Sequence, residues 1–123
     1  MPRLPLLAVL ALTALPLAAQ AAPRGIDLHA RTAGELAALC GANPREPAAD
    51  AKINYCHGFA QGALDVELHY AGEKKPFCFP NPMPTRTATL NEFVNWVRAQ
   101  PEHARLGAAP GLFRFLGERF PCK

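Results

Sequence analysis

The chain has 123 residues, with 13 lysines and arginines against 10 aspartates and glutamates, which gives a formal net charge of +3 at neutral pH. So balanced a charge, on a chain that we predict to be exported, argues against nucleic acid as a partner. The length suits one compact domain, but one below the size at which a hydrophobic core alone gives comfortable stability. The four cysteines are therefore expected to add covalent support.

Residues 1–21 have the three-part pattern of a secretory signal peptide. Arg3 supplies a positive charge, residues 4–17 form an apolar run, and residues 19–21 offer small side chains to a signal peptidase. A membrane anchor is disfavoured, because prolines interrupt an apolar run that is shorter than the roughly 20 residues needed to span a bilayer. We therefore expect a cleaved signal peptide and a mature domain over residues 22–123, with no membrane attachment after cleavage.

The first predicted helix covers residues 33–40 and begins at a capping box formed by Thr32 and Glu35. A second helix is predicted to start at a cap on Asp50 and to run to about Tyr70. Its apolar positions with helical spacing are Ile53, Cys56, Ala60, Ala63 and Leu64.

Gly58 and Gly62 lie one turn apart in the second predicted helix. Each glycine costs a helix roughly 1 kcal/mol relative to alanine. Because of this cost, we expect the bare patch that the two glycines leave on the helix to serve a purpose. We expect another backbone to pack closely against it.

The third predicted helix begins at a second capping box, formed by Thr89 and Glu92, and ends before Pro101. Its apolar stripe consists of Leu90, Phe93, Val94 and Val97. A fourth helix is predicted over residues 108–119. Since no segment sustains a period of two, we expect an all-α fold, a compact bundle of about four helices.

The four cysteines contain no C-x-x-C pair, which argues against a zinc site or a redox motif and for two disulfides in an exported chain. A helix that holds Cys56 near its start would carry the chain roughly 30 Å before Cys78, too far for these two to bond. The short first connection returns Cys56 towards Cys40, and an antiparallel pairing of the last two helices returns Cys122 beside Cys78. We predict the disulfides Cys40–Cys56 and Cys78–Cys122.

Catalytic groups are sparse in the sequence. The histidines are His29, His57, His69 and His103. Cys56 and His57 are adjacent, and adjacent helical side chains diverge, so they do not form a nucleophile and its base. Asp65 and His69 are one turn apart, but two ligands do not make a closed metal site. We therefore predict no catalytic residues, no metal and no cofactor, in a protein that is not an enzyme.

Short motifs follow one another in a specific order along the mature chain. They are a leucine-rich helix before Cys40, then Cys56-x-Gly58-Phe59-x-x-Gly62, Phe77-Cys78-Phe79-Pro80, Gln100-Pro101-Glu102 and the terminal Phe120-Pro121-Cys122. Together they resemble the Rap/Tai family of type VI secretion amidase immunity proteins, over residues 33–122.

The resemblance implies a periplasmic all-helical domain, often a homodimer, that binds an antibacterial peptidoglycan amidase effector and blocks its active-site cleft. Cells that make such an inhibitor escape killing by themselves and by their siblings. In this family the segment between the third and fourth predicted helices enters the enzyme. The effector-binding residues that it implies here are Gln100, Pro101, Glu102 and His103.

Two other functions are alternatives. A periplasmic stress or chaperone-like binding protein would use the same small disulfide-linked scaffold, with histidines that gain charge near about pH 6 and loosen it for its clients. An enzyme built on Asp65, His69 or His57 is the weakest hypothesis, because these side chains lack a complete catalytic arrangement.

Overall fold

The computed structural model describes residues 25–123, and the predicted signal peptide lies outside that range. The described part is a bundle of five α-helices without a β-strand, so the all-α prediction is confirmed. The helices are α1 (Ala33–Cys40), α2 (Ala49–Ala71), α3 (Arg86–Ala99), α4 (Pro101–Arg105) and α5 (Ala108–Arg119). None of these helices combines the length and the apolar character that a membrane span requires.

The short helix α1 lies at the centre of the bundle and contacts each of the other four helices. The predicted capping box is confirmed: the Thr32 hydroxyl accepts the Glu35 N–H, and the Glu35 carboxylate accepts the Thr32 N–H, both at 3.1 Å. Ala33 and Leu36 are fully buried. A Cβ on Gly111 would come within 2.7 Å of the Ala33 Cβ, so only glycine lets α5 cross α1 this closely.

Helix α2 begins at Ala49, so the prediction of an Asp50 cap is wrong. Asp50 lies inside the first turn, and the residue at the cap position is Ala48, in the left-handed conformation with φ 60°. The helix therefore starts two residues earlier than an Asp50 cap would place it, and Ala49 in its first turn is buried. The Asp50 carboxylate still interacts favourably with the positive end of the helix.

The expectation that another backbone packs against Gly58 and Gly62 is also wrong within this chain. Apart from the neighbouring residues and the nearby backbone of α2 itself, no atom of the described residues lies within 4 Å of a Cβ built at either position. Cys56 and Ala60 are the buried positions in this part of α2, and the helical rotation places the two glycines towards solvent.

Helix α3 begins three residues before the predicted capping box. Thr85 is the cap, and its hydroxyl accepts the Ala88 N–H at 3.1 Å. Thr89 lies inside the helix, where its own hydroxyl donates to the Thr85 carbonyl at 3.0 Å. The predicted apolar stripe of α3 is buried as expected, at Leu90, Phe93, Val94 and Val97.

The last predicted helix is confirmed at its stated bounds as α5, but the short helix α4 between α3 and α5 was not predicted. Pro101 ends α3, as expected, and it also opens α4. Proline suits the first helical position, because the N–H that it lacks has no partner there anyway.

Both predicted disulfides are present. The Cα atoms are 5.1 Å apart in Cys40–Cys56 and 4.9 Å apart in Cys78–Cys122. Beside the second bond, the Cys78 N–H donates to the Phe120 carbonyl at 2.8 Å. The segment between α2 and α3 is thereby fastened to the C-terminal end of α5.

Candidate functional site

The α3–α4 turn, residues 99–102, contains three of the four predicted contact residues, and all three are exposed: Gln100, Pro101 and Glu102. Gln100 is the only residue between the two helices, and its extended backbone, with φ −141° and ψ 130°, makes the chain change direction abruptly. The result is a short, sharply bent segment that offers its side chains to solvent.

The fourth predicted contact residue, His103, lies inside the protein and is only 4% exposed. Its ring stacks on Trp96, with 3.6 Å between centroids and 9° between planes. Its Nδ1 lies 2.7 Å from the Trp96 carbonyl oxygen, and since a carbonyl only accepts, we assign the proton to this nitrogen. His103 therefore has little surface to offer a partner, although it adjoins the exposed turn.

Trp96 connects this stack to α5. Its indole N–H donates to one oxygen of the Glu118 carboxylate at 2.8 Å, and Arg114 Nε donates to the other oxygen at 3.0 Å. The bond from Trp96, followed by the bond from Arg114, lowers the pKa of Glu118 below its ordinary value. The carboxylate form that holds Trp96 is therefore favoured at neutral pH, and the preference is lost as pH falls through the folded-state pKa.

A backbone clasp joins the other end of α4 to the start of α1. The Leu106 carbonyl accepts the Ala33 N–H at 2.8 Å, and the Arg31 carbonyl accepts the Ala108 N–H at 2.9 Å. The Glu35 carboxylate reinforces this clasp by accepting the Arg31 N–H at 2.6 Å. That bond, followed by the one from the Thr32 N–H, lowers the pKa of Glu35. The segment after α4 is therefore hydrogen-bonded to the start of α1, and it supports the α3–α4 turn from below.

The charged side chains around the turn are available to a partner. Glu102, Arg98 and Arg105 are exposed, and none of them forms an ion pair with another described residue. Exposed charges of this kind can steer the approach of a complementary surface.

Groups suited to catalysis do not come together among residues 25–123. Cys56 is in a disulfide, so it has no free thiol that could act as a nucleophile beside His57. Asp65 accepts a hydrogen bond from Gln61 at 2.8 Å rather than one from His69. No cluster of three or more potential metal ligands occurs in this range.

Two surface clefts lie elsewhere on the bundle. One, of about 360 Å³, is mainly apolar and separates α2 from α3 and α5; the other, of about 480 Å³, lies between the end of α1 and α3. None of the four predicted contact residues lines either cleft. The α3–α4 turn is therefore suited to entering a cleft in another molecule, and not to enclosing a small ligand.

The outer face of α2 includes the Gly58 and Gly62 patch that the sequence singled out, but the exposure of the apolar side chains around that patch was not predicted. It consists of Tyr55, Gly58, Phe59, Gly62, Val66 and Tyr70. Val66 is 59% exposed and Tyr70 is 83% exposed, although both are large apolar side chains. The sequence signal for this surface was that α2 has apolar residues on two opposite sides, which is typical of a helix that packs against partners on both sides.

A family model described as Rap1a immunity proteins matches residues 32–122. The matched range contains all five helices, the four cysteines and the α3–α4 turn. No curated protein and no solved structure matches the chain.

Proposed function

The chain belongs to the Rap1a immunity protein family, and on that premise we propose that it binds a type VI secretion peptidoglycan amidase and blocks its active-site cleft. Producing cells and their siblings are thereby protected. Because peptidoglycan lies outside the inner membrane, the proposal includes export by a signal peptide at residues 1–21 and a periplasmic mature domain at residues 22–123. Two disulfides suit such an oxidising compartment.

The observation that carries the proposal is that the α3–α4 turn is exposed while the segment after α4 is hydrogen-bonded to the start of α1. Gln100, Pro101 and Glu102 are presented where α3 meets α4, and the segment that follows α4 is hydrogen-bonded to the start of α1. A preformed segment loses little conformational entropy on binding, so more of the contact energy is left for affinity. The turn therefore acts as a wedge that fills the amidase cleft and excludes substrate, with no chemical step of its own.

Glu102 is the side chain on the turn that can fix the orientation of the wedge by charge. We expect Glu102→Arg to weaken binding of the cognate amidase by about tenfold to a hundredfold, because it reverses the one acidic charge that the turn offers to the partner. Calorimetric titration of the oxidised protein measures the change. The matched control is Glu73→Arg, which makes the same charge change at an exposed residue after α2.

The control should bind like the wild type, and both variants should keep the wild-type melting temperature. Equal affinities for the two variants would contradict the placement of the contact at the turn.

We propose in addition that the protein is a homodimer that pairs through the outer face of α2. An antiparallel pairing about a two-fold axis at Gly62 places Val66 of each copy over the bare Gly58 of the other. Such a contact is self-complementary, as a two-fold interface must be. It also buries the exposed Val66 and Tyr70 side chains.

Gly62→Leu should convert this dimer into a monomer, because a branched side chain blocks the close approach of two helices. The folded monomer should tolerate it, since nothing lies within 4 Å of a Cβ at Gly62. Ala38→Leu, at an exposed position of α1, is the control and should stay dimeric. Sedimentation velocity distinguishes the species, and a monomeric wild type or a dimeric Gly62→Leu variant would contradict the pairing.

A further inference from the structure

His103 and Trp96 form a staple across the α3–α4 turn. Trp96 lies in the last part of α3, His103 lies in the first turn of α4, and the exposed turn is between them. The contact combines the ring stack with the hydrogen bond from Nδ1 to the Trp96 carbonyl. It therefore joins the two helices directly on either side of the proposed contact residues.

Helix α4 depends on such support. It has five residues, whereas isolated helices shorter than about 12 residues are marginal in water. Inside the turn itself, the His103 N–H donates to the Gln100 carbonyl at 3.1 Å. Other anchors are the clasp at Leu106, the packing of Ala104 against Gly34 of α1, and the stack on Trp96. Of these, the stack joins α4 to the end of α3, on the other side of the exposed turn.

We propose that His103 is a positioning residue: through Trp96 it holds the α3–α4 turn in the conformation that the amidase recognises, without touching the enzyme. The inference rests on the proposed function and deepens it. Glu102 makes the contact, and His103 sets the fraction of molecules in which that contact is correctly placed.

This division of roles has a kinetic consequence. When a binding-competent conformation is only partly populated, the apparent dissociation constant rises by the inverse of its population. Loss of His103 should therefore lower the association rate constant, because fewer encounters meet an ordered turn. The dissociation rate constant should change little, because the bound complex keeps its direct contacts.

The test uses the full mature domain with three substitutions. His103→Ala removes the ring and the hydrogen bond, whereas His103→Gln keeps a donor for the Trp96 carbonyl. Thr89→Ala is the matched control, because Thr89 and His103 are the buried polar residues among those described. Thr89 lies about 16 Å along α3 from the turn. Biolayer interferometry against the amidase gives both rate constants.

Two measurements on the free protein report the staple independently of any partner. Hydrogen exchange of the Gln100 and Glu102 amides reports the order of the turn. Acrylamide quenching reports the exposure of Trp96, which is the only tryptophan in the chain.

For His103→Ala we expect an association rate constant about tenfold lower, faster amide exchange in the turn and stronger quenching. His103→Gln should recover part of each change, and Thr89→Ala should keep the wild-type association rate constant even where it lowers the melting temperature. A wild-type association rate constant and wild-type exchange in His103→Ala would overturn the inference, as would an equal loss in Thr89→Ala. A wild-type protein that binds no amidase would overturn the proposed function, and with it the claim that His103 supports recognition of the amidase. Amide exchange and quenching in the free protein would still decide whether His103 orders the turn.

Discussion

Replacing Cys78 and Cys122 together with serine should lower the free energy of unfolding by about 4 kcal/mol. The disulfide that these residues form closes a loop with a sequence separation of 44 residues. A cross-link over a loop of this size removes much of the conformational freedom of the unfolded chain. Both cysteines are exposed, so serine at these positions leaves no buried cavity.

Urea unfolding followed by circular dichroism measures this loss. The comparison variant replaces Cys40 and Cys56 with alanine and opens a loop with a separation of 16 residues, for which the expected entropic loss is about 3 kcal/mol. A loss below about 1 kcal/mol in the Cys78 and Cys122 variant would show that the bond does not restrain the unfolded chain as expected.

Phe93→Ala should destabilise the domain by about 3–5 kcal/mol, because it removes a large ring and leaves a cavity in the core. Phe93 is fully buried, and its ring centroid is 6.3 Å from that of Trp96 and 5.7 Å from that of Phe115. Phe93→Leu keeps most of the volume and should lose clearly less. Urea unfolding gives both values, and equal losses would contradict the cavity explanation.

The Phe93 prediction also reaches the candidate site. Trp96 stacks on His103, and its ring is also stacked with that of Phe93 at a centroid distance of 6.3 Å. A cavity at Phe93 should therefore loosen the support of the α3–α4 turn as well as the core. We expect the quenching of Trp96 fluorescence to increase in Phe93→Ala before global unfolding begins.

Features that depend on local chemistry were predictable from the sequence. The capping box of Thr32 and Glu35 fixes the start of α1, and the bounds of α5 follow from its apolar positions. The exclusion of a Cys56–Cys78 bond followed from the length of the second helix, and the two bonds that form followed from the return of the chain after the first helix and along the last two helices.

Features that depend on packing were not predictable. Thr89 and Glu92 have the pattern of a capping box, yet Thr85 caps α3 because the helix continues one turn further towards its N-terminus. Helix α4 is too short to show a periodicity. The burial of His103 depends on Trp96, a residue seven positions away whose ring reaches it only after α3 and α4 have formed.

Periplasmic co-expression tests the central proposal most directly. The full chain would be expressed together with its cognate type VI amidase, which is directed to the periplasm of the host, and lysis would be followed by culture density. The control chain lacks residues 1–21. We predict that the full chain prevents lysis, that the control does not, and that the mature protein co-purifies with the amidase in a stoichiometric complex. Lysis at the undiminished rate, with the full chain present in the periplasm in excess of the amidase, would contradict the account.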